Sequence, residues 1–268
     1  MDIRPSEPSH LSLRASDGVE LSLTRVGAGR PILFLHGTSA DSTRWAPTMA
    51  RLGDRFAVHA LDRRGRGRSG DGTGEYRIEQ EFDDVVAAVH AVGDRVDVVA
   101  HSFGAICALE AAMRTDRIRA LVAYEPPLSP TPQPPPPVVP EMEALLARGD
   151  LNGVLEAFLR GYVGIPAPAL AQLKSQPSWQ ARLSCAHTIP REIRAAYAYP
   201  VDRARLARLA CPVTLLQGSE SHVLLKEATA LLEATIPGAR LIVLAGQHHV
   251  AMDSAPELFI DAVLSGLA

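Results

Sequence analysis

Short runs in which almost every residue is apolar take turns along this chain with longer stretches whose apolar residues fall three and four positions apart. Residues 31–35, 56–61, 96–100 and 118–124 are of the first kind and read as strands buried on both faces of a parallel sheet. Between them, residues 45–52, 79–92 and 103–113 carry helical spacing, so strand and helix alternate as βαβ units. Ahead of them, 11–14 and 20–26 alternate apolar with polar residues around Asp17-Gly18, which predicts a half-exposed antiparallel hairpin.

After Glu125 the pattern breaks. A proline-rich tract opening with Pro126-Pro127-Leu128 fits neither a helix interior nor an inner strand and reads as a stiff spacer. From 141 to 209 only helical patterns occur, at 142–146, 154–159, 170–173 and 193–197. Strands return at 212–216 and 239–244 on either side of a helix at 227–235, and 256–267 ends the chain as a helix. The predicted architecture is one α/β core domain, residues 1–125 and 210–268, with a mostly parallel eight-stranded sheet flanked by helices. A helical cap over 126–209 interrupts it after the sixth strand; an insertion of roughly 80 residues is longer than an ordinary connection and reads as a lid.

Composition narrows the partners. Lys plus Arg number 27 against 30 for Asp plus Glu, a formal charge of −3, so no strong field favours nucleic acid or an acidic membrane, and a small-molecule substrate is expected. Cys107, Cys185 and Cys211 are an odd, scattered set, which argues against disulfides and structural zinc and for core thiols. No basic-then-apolar leader is seen in residues 1–12 and no run is long enough to span a bilayer, so a cytoplasmic protein without a membrane role is expected. Oligomeric state leaves no trace in the sequence. His and carboxylate residues show no metal-ligand spacing such as H-E-x-x-H, and neither metal nor cofactor is expected.

The chemistry starts at Ala100-His101-Ser102-Phe103-Gly104, which sets one serine between small residues where a predicted strand gives way to a helix. A nucleophile elbow has that form, because its strained turn brings strand and helix too close for bulk two residues away; an ordinary Gly-terminated turn is the bland alternative. A serine hydroxyl needs a base and a group to orient it. Of nine histidines, His249 follows the last predicted strand, where loops at strand ends converge on one crevice, and His248 is the competing imidazole. The backbone N–H of Phe103 and that of Thr38, after the strand exit His36-Gly37, are the candidate oxyanion donors. His36, Trp45 and Tyr124 stand beside these motifs and are expected to line the substrate pocket.

With His36-Gly37, Asp62-Arg63-Arg64-Gly65-Arg66-Gly67-Arg68-Ser69, the elbow and the late Gly246-Gln247-His248-His249 in this order, the chain resembles the α/β-hydrolase superfamily over essentially its full length. It looks most like the cap-bearing branch with cofactor-free haloperoxidases, esterases and haloalkane dehalogenases. The resemblance implies a lid between the sixth and seventh strands and maps the family histidine onto His249. The chain departs from the family at the acid: Gly218-Ser219-Glu220-Ser221 has serine where aspartate is common. Glu125 resembles the glutamate that some haloalkane dehalogenases keep after the sixth strand, and Glu220 is the rival. A serine rather than an aspartate in the elbow favours acyl transfer over carbon–halogen cleavage.

The expected function is therefore a serine hydrolase that cleaves an ester, thioester or lactone through an acyl-enzyme on Ser102, with a hydrolase-like binding protein or a lyase as the alternative. Gly65-Arg66-Gly67-Arg68-Ser69-Gly70 matches a dinucleotide fingerprint, but no apolar helix follows it, and its arginines read as solvated or ion-paired side chains. His187 reads as a residue satisfied within the helical insertion.

Overall fold

The computed structural model describes residues 7–268; of the leader reading, residues 1–6 lie outside it. Eight strands form one sheet: β1 (Ser9–Arg14), β2 (Glu20–Val26), β3 (Arg30–Leu35), β4 (Phe56–Asp62), β5 (Val96–His101), β6 (Ile118–Tyr124), β7 (Val213–Gly218) and β8 (Arg240–Leu244), in the order β1-β2-β4-β3-β5-β6-β7-β8. Strand β2 runs antiparallel to both β1 and β4, and every other pairing is parallel. The helices α1 (Ala46–Leu52), α2 (Ile78–Val92) and α3 (Phe103–Ala112) lie between the first strands, as the apolar spacing predicts. In the insertion come α4 (Val138–Ala147), α5 (Leu151–Ala157), α6 (Ala167–Lys174), α7 (Ser178–Ser184), α8 (Ile189–Ala198) and α9 (Arg203–Leu206); α10 (Val223–Thr235), α11 (Ala251–Ser254) and α12 (Pro256–Gly266) complete the core.

Period two along the strands splits the core into two layers. Leu33, Leu35, Val96, Val98, Ala100, Leu121 and Ala123 face α2 and α3, whereas Ile32, Phe34, Val58, Val99 and Val122 face α1 and α12. The insertion has an apolar centre of its own, built on Val139, Met142, Val154, Leu155, Phe158 and Ile189. Among the described residues no helix is long and apolar enough to cross a membrane.

Strand order positions the site. The chain leaves β3 for β4 on one side, then returns to set β5 against the other side of β3. The loops after β3 and β5 therefore leave in opposite directions at their carboxyl ends, the place where open α/β sheets bind ligands.

Candidate active site

Three described non-glycine residues have positive φ, Ser39 at 55°, Ser102 at 54° and Glu125 at 46°, and all three lie where β3, β5 and β6 run out. Backbone strain of that kind collects at functional sites. Ser102 precedes α3, and a side chain at Gly104 would meet the carbonyl oxygen of His36 at 2.5 Å, so α3 starts this close to β3 because residue 104 is glycine. Gly37 serves the same approach from the other side: a Cβ there would meet the Ser102 Cβ at 2.8 Å. Ala100, which stands where such elbows usually have glycine, is fully buried between Leu35 of β3 and Ala123 of β6, and its methyl is accommodated.

The register His101↔Tyr124 puts Glu125 beside Ser102 at adjacent strand ends. The Glu125 carboxylate is fully buried; Oε1 accepts the backbone N–H of Gly218 at 2.7 Å and Oε2 lies 2.5 Å from Nδ1 of His249. Glu220 is exposed, accepts from the Ser219 hydroxyl at 3.1 Å and does not reach His249. His248 turns away as well, its Nδ1 against the Glu220 carbonyl at 2.7 Å. Ser221, at the family's acid position, is buried with an unpartnered hydroxyl.

Two neighbours hold the loop of His249. Tyr124 donates its hydroxyl to the carbonyl of His248 and accepts from the N–H of Ala251 at 3.3 Å. His101, whose role the sequence reading missed, places Nε2 2.8 Å from the His249 carbonyl, so that nitrogen carries the proton, and the two rings lie 4.4 Å apart between centroids. Burial first, and the neighbouring His249 second, keep the His101 pKa well below the usual histidine range. The Ser102 hydroxyl has no hydrogen-bond partner among the described residues, so the imidazole meets the carboxylate here without also meeting the serine.

The Gly37–Thr38 peptide is held from its carbonyl side. His36 is fully buried; Nε2 accepts the Arg63 N–H at 3.2 Å, which leaves the proton on Nδ1 to bond the Gly37 carbonyl at 2.9 Å. Burial, then the charge of Arg63, hold the His36 pKa well below its ordinary value. Arg63 Nη1 donates to the same carbonyl at 3.3 Å, and its guanidinium stacks 4.5 Å over the Phe103 ring. Because a trans peptide sets N–H opposite C=O, this clamp turns the Thr38 N–H away from His36 and Arg63. Among the described residues neither that N–H nor the N–H of Phe103, one of the amides α3 leaves unbonded at its start, has an acceptor.

The pocket expected from His36, Trp45 and Tyr124 is not formed by those side chains, all of which are fully buried. Trp45 packs between Phe34 and Phe259 at ring separations of 5.0 and 6.0 Å, because its large apolar surface is better covered by the α1/α12 layer than at a polar crevice. His36 and Tyr124 spend their polar atoms on backbone. The arginines after β4 are ion-paired, as one of the two readings had it, but Arg63, Arg64 and Arg66 are buried rather than solvated. Arg63 pairs with Glu81 at 2.7 Å and with Glu192 of α8, to which Arg66 also bonds, while Arg64 pairs with Asp84 at 2.7 Å. His187 finds its partner outside the insertion, 3.7 Å from Asp71 in the core. The insertion is thus tied to the carboxyl-end loops by Glu192, Arg191 on Asp71, and Arg182 on Ser39. Among the described residues no three His, Cys, Asp or Glu side chains cluster as metal ligands would.

This sheet order belongs to a known class. The family model described as "Alpha/beta hydrolase family" matches residues 32–262, and the chain belongs to that family. The 2-(acetamidomethylene)succinate hydrolase of Mesorhizobium japonicum is 27% identical over 91% of this chain and 90% of its own length. Among solved structures, an alpha/beta hydrolase from Sphaerobacter thermophilus matches with a TM-score of 0.81 and 32% identity, covering 94% of this chain and 99% of that one. An N-formylmaleamic acid deformylase from Pseudomonas putida matches with a TM-score of 0.73 and 25% identity, covering 95% and 100%. The chain is a hydrolase by family.

Proposed function

We propose that this hydrolase opens a carboxylic ester, thioester or lactone of a small molecule through an acyl-enzyme on Ser102. His249 Nε2 takes the proton from the Ser102 hydroxyl as the oxygen attacks the carbonyl, then returns it to the leaving group. Glu125 stabilises the imidazolium formed in between and holds the ring with Nδ1 inward. The N–H groups of Thr38 and Phe103 receive the oxyanion, and water, activated by the same imidazole, releases the acyl group. The residues 126–209 act as the lid.

The observation that carries this reading is the buried Glu125 carboxylate 2.5 Å from His249, at the strand end beside a strained Ser102. Two backbone amides left free at the same crevice support it. The hydrogen bond from Ser102 to His249 is expected to close when substrate enters, since such contacts are commonly long in unliganded enzymes.

The test is Ser102→Ala. Its kcat on p-nitrophenyl acyl esters of graded chain length is expected to fall by at least about 10³-fold with an unchanged circular-dichroism spectrum, and a fluorophosphonate probe is expected to label Ser102 alone. Turnover that survives in the alanine variant overturns the mechanism. Tight binding of the esters by the native chain without turnover would favour the binding-protein alternative.

A further inference from the structure

Two guanidinium groups at the border between the insertion and the loop after β3 each keep a buried Nε–H without an acceptor among the described residues. Arg182 of α7 reaches across to the core and spends Nη1 on Ser39, at 3.3 Å from its carbonyl and 3.2 Å from its hydroxyl. Among the described residues it forms no ion pair, its Nε is buried without a partner, and no acceptor meets its Nη2. Nε and Nη2 are the side of the guanidinium that presents two parallel N–H donors, the fork that a carboxylate accepts bidentately.

Arg44 stands on the same loop, 9% exposed at its side chain. One nitrogen, Nη2, donates to Asp253 at 2.7 Å, a carboxylate 48% exposed; its Nε is buried and unpartnered. Burial lowers the Arg44 pKa, Asp253 opposes it, and the charge of Arg182 adds a smaller lowering, so the two arginines lie within each other's field. Arg44 therefore has one half-exposed carboxylate for a partner, and Arg182 has none among the described residues. Asp41, the nearest acid in sequence, is turned to the Thr43 amide at 2.9 Å as the cap of a short helical turn.

Their position decides what such a pair serves. Arg182 holds Ser39, the residue after Thr38, and Asp253 lies in α11, which follows His249 directly. The charge of Arg44 also depresses the pKa of His101, beside Ser102. The unmatched donors thus sit between the oxyanion loop and the loop of the base. A buried guanidinium nitrogen with no acceptor is costly unless something else supplies one.

We propose that Arg182, aided by Arg44, binds a carboxylate carried by the substrate itself a few bonds from its scissile carbonyl, so that the preferred substrates are esters or lactones that are also acids. The inference rests on the acyl-transfer reading of Ser102 for its catalytic half, and on the arginines alone for its binding half.

The experiment compares monomethyl glutarate with methyl pentanoate, an anionic and a neutral ester of equal acyl length, on the full chain. The native protein is expected to favour the anionic ester in kcat/KM by about tenfold or more. Arg182→Gln is expected to bring that preference close to one, and Arg182→Lys to recover it only in part, because an ammonium offers no fork. A native preference near one, or one that Arg182→Gln leaves untouched, overturns the subsite. The binding half is read separately on Ser102→Ala by calorimetry: glutarate is expected to bind, butyrate not, and the glutarate signal to vanish in the Ser102→Ala, Arg182→Gln double variant. Glutarate binding that depends on Arg182, with neither ester turned over by the native chain, refutes the acyl-enzyme and keeps the subsite; no glutarate binding refutes the subsite whatever the turnover.

Discussion

Glu125 and His249 are 124 positions apart in the chain and 2.5 Å apart in the fold, carboxylate oxygen to Nδ1. The carboxylate is fully buried, and its other oxygen is held by the N–H of Gly218. Such a contact sets the ring and its tautomer together, leaving Nε2 as the nitrogen free to act as base.

Replacing that carboxylate is expected to matter far more than replacing its rival. Glu125→Gln should reduce kcat by about 10²- to 10⁴-fold, since the amide neither stabilises an imidazolium nor enforces the tautomer. Glu220→Gln, on an exposed loop, should change it less than about threefold. Steady-state kinetics of the two variants on one ester decide the matter; equal, small losses would leave His249 without an acid.

The clamp on the Gly37–Thr38 peptide makes Arg63 a positioning residue. Arg63→Met keeps much of the volume over Phe103 and removes the donor to the Gly37 carbonyl, and kcat is expected to fall by about tenfold or more with KM moving less. Titration of reactive sites with a fluorophosphonate separates slower turnover per site from a smaller folded fraction. A normal rate per titrated site would show that Arg63 serves only the fold.

Glu192 of α8 accepts from both Arg63 and Arg66 in a setting closed to solvent. Taking away its charge leaves Glu81 alone against two buried cations, so Glu192→Gln should destabilise the protein by about 3 kcal/mol, read from urea unfolding. A loss below about 1 kcal/mol would mean that Glu81 alone compensates the pair.

Acidification should unfold the protein more readily. His36 and His101 stay neutral in the fold, held there chiefly by burial, then by Arg63 and His249 respectively. Released from the fold, both protonate near 6.5. Below that pH the unfolded chain binds more protons than the native one, and each histidine withdraws about 1.4 kcal/mol of stability per pH unit. Asp84, pushed up to about 6 by burial against the pull of Arg64, works in the opposite sense: between 6 and its ordinary 3.8 the native form holds the extra proton. His59, also lowered by burial, acts with the two histidines, and Asp97, also raised by burial, acts with Asp84; three histidines outweigh two carboxyls, so urea midpoints should fall from pH 7 to pH 5. In His101→Gln the slope should be shallower; an unchanged slope would remove His101 from the account.

The elements were legible because their signals are local. Runs 31–35 and 118–124 announce inner strands, helical spacing announces α2 and α3, and both appear within a residue or two of the expected bounds. Glycine at 104 and the small residue at 100 mark a close approach of strand and helix before any coordinate is known, because a turn's sterics depend on residues adjacent in the chain. Even the place of His249 follows from its lying after the last strand.

Side-chain partners were another matter. Glu125 and Glu220 are equivalent as carboxylates in the sequence; the β6–β7 pairing buries one at Gly218, and solvent takes the other. Trp45, His36 and Tyr124 neighbour the motifs in sequence, yet period two and the packing of α1 and α12 turn them into core and backbone supports. Arg44 and Arg182 carried no sequence signal beyond being polar, and although His101 and Arg63 stand inside quoted motifs, all four take their meaning from a residue far along the chain. The order of apolar and polar residues determined the secondary structure, the turn at Ser102 and the strand exits; only the tertiary structure decided which carboxylate meets His249 and which arginines are paired, since charge pairing depends on a few ångströms of separation and on exclusion of water, neither of which a linear order contains.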